Sequence, residues 1–140
     1  MTILDTNVVS QAMQLLPSPK VMHWFSGARG SGEVFLTTIT VAEILYGVAL
    51  LPQGKRRDKL QAEAEAVFAQ DFSGHILPFD EHAARIFAEI AAARRAQGRP
   101  IAEMDAQIAA IARAHGAALA TRNVEDFEGC GVTLINPWQP

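Results

Sequence analysis

The chain has 140 residues, of which 49% are hydrophobic and 19% charged. This balance excludes a disordered protein and predicts one compact domain over residues 1–140. The formal net charge of −3 excludes a general attraction for nucleic acid or membrane surfaces, so a polyanionic substrate would need a local basic patch or a bound cation. Cys130 is the only cysteine, which excludes an internal disulfide and a cysteine-based zinc cluster and agrees with an expected cytoplasmic location.

Short apolar segments alternate with helical patterns along the chain. The predicted strands are residues 2–5, 34–38, 75–78, 117–121 and 132–136. The predicted helices are one or two over residues 7–27, a hairpin of 41–51 and 55–72, then 80–97 and 102–115. Asp80 is a suitable N-cap, and Gly98 and Gly116 suit the positions that end helices. The alternation predicts an α/β fold with a mostly parallel sheet covered by helices on both faces.

The sequence predicts neither a signal peptide nor a membrane-spanning helix. The first residues lack a basic stretch ahead of an apolar core, so no signal peptide is expected. The longest apolar run, residues 39–51, contains Glu43 and is too short to span a bilayer.

Four acidic residues are expected at one edge of the sheet. Asp5 ends the first strand, and Glu43 lies at the start of the helix that follows the second strand. Asp105 lies in the first turn of the helix that leads back to the fourth strand, and Asp126 follows that strand closely. Ligands of such folds bind beyond the carboxyl ends of the strands. If strands one, two and four are neighbours, these four acids converge there.

Each acid also has a purely structural interpretation. Asp5 could cap the first helix. Glu43 could complete a capping box that begins at Thr40, in the sequence TVAE. Asp105 could interact favourably with the helix dipole, although it lies on the apolar side of its helix, where an unpaired carboxylate is costly. Asp126 could belong to a simple polar turn.

Together the four acids point to a cation site. Clustered carboxylates repel one another, and a bound cation relieves that repulsion. The chain has no cysteine pair and no histidine pair at ligand spacing, which argues against zinc. An all-oxygen site suits Mg²⁺ or Mn²⁺, which can activate a water molecule for attack on a phosphate.

Four segments of the chain resemble a known family. These are ILDTNVVS at residues 3–10, TTITVAEILYGV at 37–48, IAEMDAQIAAIARAHG at 101–116 and LATRNVEDFEGCGVTLINPW at 119–138. In order and spacing they resemble PIN domain toxins of type II toxin–antitoxin systems, of the VapC/FitB kind. The resemblance implies a three-layer α/β/α sandwich with a central, mainly parallel sheet of about five strands.

The resemblance also implies an activity and partners. It implies a Mg²⁺- or Mn²⁺-dependent endoribonuclease that acts as a toxin and is neutralised by a cognate antitoxin. It implies a homodimer that contacts promoter DNA only through the antitoxin. Carried over by position, Asp5, Glu43 and Asp105 match the acidic triad, with Asp5 and Asp105 as the metal ligands. Asp126 matches the fourth acid of some relatives, whereas others carry an acid where Asn123 stands here.

Further residues are expected around this site. The supporting residues are Thr6, Asn7, Thr121 and Asn123. Arg122, next to the predicted site, is the candidate for binding substrate phosphate. Two basic runs, residues 94–99 with Arg94 and residues 55–57, could also touch phosphates, although a solvated helix end is the simpler interpretation of each. Residues 136–140 and Trp24 could serve an interface or pack in the core.

We therefore predict hydrolysis of an RNA phosphodiester by a metal-activated water, without a covalent nucleophile. Two other enzyme classes fit less well. A haloacid dehalogenase-like phosphatase would need an acid where Asn7 stands, and a receiver domain would need a lysine late in the sheet. A non-catalytic alternative stays open, in which the domain is a PIN-fold binding module that acts through a partner complex on DNA.

Overall fold

The computed structural model describes residues 1–140 apart from the side chain of Ser31. Its five strands are β1 (Thr2–Leu4), β2 (Val34–Thr37), β3 (Ile76–Leu77), β4 (Ala118–Ala120) and β5 (Leu134–Ile135). Its α-helices are α1 (Thr6–Ala12), α2 (Pro19–Ser31), α3 (Thr38–Ala49), α4 (Lys55–Ala66), α5 (Glu81–Ala96) and α6 (Glu103–Ala114). A π-helical turn, Val67–Asp71, extends α4, and a 3₁₀ turn, Val124–Phe127, follows β4.

The strands form one parallel sheet in the order β3-β2-β1-β4-β5. The central strand β1 pairs with β2 on one side and with β4 on the other, and Ile3 lies opposite Phe35 and Leu119. The adjacency of strands one, two and four, on which the predicted convergence of acids depends, is therefore confirmed.

Alternate residues of the central strands face two separate helical layers. Ile3, Phe35 and Leu119 belong to an apolar cluster with α5 and α6. The next residues along the same strands, including Leu4 and Leu36, belong to a second cluster with α1–α4 and the π-helical turn. This period of two is what a sheet buried on both faces requires. The predicted three-layer α/β/α sandwich is confirmed.

The helix ends agree with the sequence in most places. The side chain of Asp80 accepts a hydrogen bond from the Ala83 amide at the start of α5, as predicted. Gly98 and Gly116 adopt φ angles of 71° and 61° just beyond α5 and α6, a left-handed conformation that glycine adopts without strain. The predicted first helical region consists of two helices. None of the helices that the structure describes is both long and apolar enough to cross a membrane.

Candidate functional site

The strand order places a switch point at the carboxyl ends of β1 and β4, and we call the space just beyond these two strand ends the crevice. The chain leaves β1 toward β2 on one side of the sheet, whereas β4 lies on the other side. Such a switch point is where open α/β sheets bind ligands. The residues that follow these two strands, Asp5 and Thr121, border the crevice directly.

Asp5 is both a helix cap and a buried acid of this crevice. Its side chain is only 5% exposed, and its Oδ1 accepts a hydrogen bond from the Thr6 amide (2.8 Å) at the start of α1. Its Oδ2 accepts hydrogen bonds from the Thr121 hydroxyl (2.8 Å) and from Asn7 Nδ2 (3.2 Å). Burial raises the pKa of Asp5, and these hydrogen bonds oppose the rise. The cap is therefore confirmed, and it leaves the predicted metal-binding role of Asp5 open, because one carboxylate can do both.

Glu43 is linked to α1 by Thr6. The Thr6 hydroxyl donates to Glu43 Oε1 (2.9 Å) and lies 2.9 Å from the Thr40 hydroxyl. The predicted capping box is wrong, because Thr37 is the N-cap of α3 and accepts from the Thr40 amide (3.1 Å). The strand residue Thr37 starts the helix three residues earlier than TVAE suggests. Glu43 is therefore placed by its contact with Thr6 and has no part in capping.

Asp105 lies in the first turn of α6, whose residues Ala106, Ile108 and Ala109 are fully buried. Its pKa is raised to about 6, first by burial and then by the negative charges of Asp5, Glu43 and Asp126. The four predicted acids therefore act on one another electrostatically. Among the residues that the structure describes, none donates a hydrogen bond to the Asp105 carboxylate.

Asp126 is an exposed residue of the 3₁₀ turn after β4. Its negative charge contributes to the raised pKa of both Asp5 and Asp105. Asn123 is also exposed and precedes the 3₁₀ turn, and its amide donates to the Thr121 hydroxyl (3.1 Å). Asp126 is connected to Asp5 through the backbone of Asn123 and the hydroxyl of Thr121, and the roles predicted for Asp126 and Asn123 stay predictions.

Arg122 is the basic residue closest in sequence to the crevice wall. Its amide donates to Asn7 Oδ1 (3.3 Å), and its exposed guanidinium lies 5.0 Å from the centre of the Trp138 ring. The sequence suggested an interface or core role for residues 136–140 and did not reveal this pairing. A stacked aromatic ring favours a fixed position of the cation.

The two basic runs lie at different places in the fold. Lys55 begins α4 beyond the far end of α3, and α3 is about 18 Å long at 1.5 Å per residue. Arg94 is 4% exposed and donates to backbone carbonyls. The suggestion that Arg94 could touch phosphate is therefore wrong, because its guanidinium is enclosed by the protein.

Comparison with known proteins identifies the family. Residues 2–128 match the PIN domain family. The chain belongs to the PIN domain family. This PIN domain is 40% identical over 140 residues to the VapC ribonuclease Y4jK of Sinorhizobium fredii, covering 100% of the chain and 99% of that protein. It is 40% identical over 138 residues to the toxin FitB of Neisseria gonorrhoeae, covering 99% of each.

A solved structure agrees over the whole length of this PIN domain. The structure of FitAB bound to an IR36 DNA fragment superposes with a TM-score of 0.91 and 39% sequence identity. The match covers 100% of this PIN domain and 97% of the matched chain in the FitAB structure. The similarity therefore includes the crevice and the elements that carry the four acids.

The acids of this PIN domain stand apart in the structure. Within the part of the chain that the structure describes, no three histidine, cysteine or acidic side chains are arranged so that they could hold a metal ion as they stand. Mutual repulsion favours such separation, and the terminal torsion of a carboxylate is soft enough to change at little cost. The donor set itself, made of carboxylate and hydroxyl oxygens, fits Mg²⁺ or Mn²⁺ and does not fit zinc.

Proposed function

We propose that this PIN domain is a Mg²⁺- or Mn²⁺-dependent endoribonuclease that acts as the toxin of a type II toxin–antitoxin pair in the cytoplasm. The observation that carries the proposal is the buried Asp5 carboxylate at the switch point between β1 and β4, held there by Thr121 and Asn7. Burial and the negative charges of Asp5, Glu43 and Asp126 also raise the pKa of Asp105 to about 6. Such clustered carboxylates repel one another, and a bound cation relieves that repulsion. The relatives named as a VapC ribonuclease and as the toxin FitB support the same activity.

In this proposal, Asp5 and Asp105 hold the cation. When bound, the cation would supply Lewis-acid stabilisation of the phosphate and lower the pKa of an attacking water. Both oxygens of Asp5 already accept hydrogen bonds, from the Thr6 amide and the Thr121 hydroxyl. These bonds fix the direction of the remaining lone pairs, as partners of metal ligands commonly do.

Glu43 and Asp126 would complete the acidic wall without replacing the two ligands. The Thr6 hydroxyl orients Glu43 from α1, so Glu43 can accept hydrogen bonds from water in the crevice. Asp126 lies in the 3₁₀ turn that follows β4, the neighbour of β1. Its negative charge would favour the binding of a cation over that of a neutral molecule. Thr121 and Asn7 contact each other (3.4 Å) as well as Asp5, which keeps the ligand oxygen in place.

The partners follow from the relatives. We propose a cognate antitoxin, a homodimer, and contact with promoter DNA through the antitoxin alone, because the similar FitAB structure contains DNA. The surface has apolar residues that a partner could cover: Leu15 and Leu16 are 94% and 87% exposed, and Tyr46 and Leu50 are 64% and 66% exposed. Large apolar side chains exposed to this degree are typical of contact sites.

The activity can be tested on the purified, partner-free chain with total RNA. We expect cleavage with millimolar Mg²⁺ or Mn²⁺, no cleavage with EDTA, and recovery when excess Mg²⁺ is added. Attack by water leaves linear phosphate ends. Products that end in 2′,3′-cyclic phosphate, or cleavage that persists in EDTA, would contradict the proposed chemistry. An intact RNA pool at all cation concentrations would favour the alternative, a binding module that acts on DNA through its partner complex.

Arg122→Gln is expected to raise the KM for RNA by about 3- to 10-fold and to leave kcat nearly unchanged, because one phosphate contact is lost. The plot of log affinity against log salt concentration should become less steep, its slope decreasing in magnitude by about 1. Arg29→Gln is a matched control, since Arg29 is also exposed and lies 5.5 Å from the ring centre of Phe25, near the end of α2 that leads to the amino end of β2. Equal effects of the two substitutions would contradict a role of Arg122 in the site.

A further inference from the structure

Arg94 is a buried cation that the proposed chemistry does not use. It lies in the last turn of α5 and is 4% exposed. Its Nε donates to the Arg99 carbonyl (2.8 Å), and its Nη1 donates to the carbonyls of Asp126 (2.8 Å) and Glu128 (3.0 Å). The same Nη1 lies 3.6 Å from Cys130 Sγ. The oxygen acceptors of this guanidinium are thus backbone carbonyls on both sides of it.

A buried guanidinium of this kind is expected to be rigid, because losing any of its hydrogen bonds would raise the free energy of the folded state. A buried charge must be compensated by hydrogen bonds, and each one left unmade costs more than an ordinary bond contributes. The guanidinium is planar, so its donors hold their acceptors at fixed directions. Because the Asp126 and Glu128 carbonyls converge on a single nitrogen, the backbone between them is held against α5.

Other contacts hold the same short segment. Phe127, between the two carbonyls, is 1% exposed in the core. Arg99 Nη2 donates to the Glu125 carbonyl (3.4 Å) and lies 3.2 Å from Glu128 Oε2. The Asp126 amide donates to the Asn123 carbonyl (3.0 Å). The backbone of Asp126 is thus fixed on the α5 side, and its carboxylate is exposed. On the other side the same backbone is linked through Asn123 to the Thr121 hydroxyl, which donates to Asp5.

We propose that Arg94 is a positioning residue that holds the Asp126 carboxylate at the crevice, so that Asp126 contributes to the affinity for the divalent cation. The inference rests on the proposed function, since it takes the crevice as a cation site. Arg94 acts through the backbone of residues 125–128 and contacts neither cation nor substrate. A lysine at this position would keep the charge but lose the fixed directions of the donors.

The experiment measures Mn²⁺ affinity in the full chain, by titration, for Arg94→Lys, Asp126→Asn and the double variant. We expect Arg94→Lys to weaken Mn²⁺ binding by about tenfold, the loss typical of a residue that supports a metal site. We expect Asp126→Asn to weaken it to a similar degree, and the double variant to be no weaker than Asp126→Asn alone, because both changes remove the same contribution. Arg95→Met, an exposed neighbour on α5, is the control and should bind as the wild type does.

A second readout follows the segment itself. Arg94→Lys should speed amide hydrogen exchange at residues 124–128 relative to the core strands. If Arg94→Lys is too unstable to titrate, Arg99→Gln replaces it. That variant removes two contacts from the same segment at a half-exposed position, and its Mn²⁺ binding should weaken by about twofold with faster exchange.

Several outcomes would overturn the inference. These are full additivity in the double variant, wild-type Mn²⁺ affinity in folded Arg94→Lys, and unchanged exchange and affinity in Arg99→Gln when that variant is used. A wild-type chain that binds no Mn²⁺ would instead overturn the proposed function. If the wild type binds Mn²⁺ and Arg94→Lys binds it equally well, the inference about Arg94 is overturned and the proposed function is not.

Discussion

Asp5→Asn is expected to abolish the rise in melting temperature that Mg²⁺ or Mn²⁺ produces, and to lower RNA cleavage by more than about 100-fold. Loss of residues that only support a metal site costs about 10- to 100-fold, and Asp5 is proposed to be a ligand. The rise itself is expected because a ligand that binds only the folded state stabilises it. Differential scanning fluorimetry with and without cation, and the assay on total RNA, measure the two effects.

The substitution is expected to leave the fold intact. The new amide oxygen can still accept from the Thr6 amide. The hydrogen bonds from Thr121 and Asn7 to the other oxygen are lost, at a cost of about 1 kcal/mol each, which is small against the stability of a folded domain. Asp71→Asn is the control, since Asp71 is exposed and precedes the amino end of β3, at the opposite edge of the sheet. A cation-induced rise that survives in Asp5→Asn would count decisively against the metal site.

Asp105→Asn is expected to stabilise the protein in EDTA at pH 7.5 and to eliminate RNA cleavage. The pKa of Asp105 in the folded chain is about 6, against an ordinary value of 3.8. The folded state therefore binds the proton more tightly, and the free energy of unfolding falls as pH rises from about 4 to 6. Above pH 6 the charged carboxylate destabilises the cation-free protein, and asparagine removes that effect.

The expected gain is about 1 kcal/mol, because solvent screens this partly exposed group and reduces the full value of ~1.4 kcal/mol per pKa unit. Urea unfolding of both proteins at pH 7.5 and near pH 4 measures it, and the gain should disappear at the lower pH. Glu103→Gln, an exposed acid in the same first turn, should show no comparable change. Saturating Mn²⁺ should reverse the order of stability, and a gain independent of pH would contradict the electrostatic origin.

The sequence was sufficient to predict the edge of the sheet at which the acids lie, but not the residues that hydrogen-bond to them. The alternation of strands and helices assigns Asp5, Glu43 and Asp105 to one edge, because parallel strands share that edge. What alternation does not contain is the order of the strands, which the pairing of β1 with β2 and β4 supplies. The resemblance to PIN domains implied a sheet of this kind, and the structure gives the strand order itself.

Two local features escaped prediction for physical reasons. Thr37 and Thr40 are both good N-caps in sequence, and only the end of pairing between β2 and β3 decides that Thr37 starts α3. Arg94 belongs to a run that has the composition of a solvated helix end, yet two of its carbonyl acceptors, those of Asp126 and Glu128, are 32 and 34 positions away. Contacts of that range depend on packing and leave no periodic trace in the sequence.

The position of β1 has a consequence for the newborn chain. β1 is made before both of its neighbours, β2 and β4, and the proposed ligands are 100 residues apart, with the fourth acid later still. A ribosome-bound fragment that lacks β4 has neither the Thr121 contact to Asp5 nor Asp126. Nuclease competence would therefore arise only after β4 and the segment that carries Asp126 have joined the sheet, and a partner already present in the cell would meet the enzyme at the moment it becomes active.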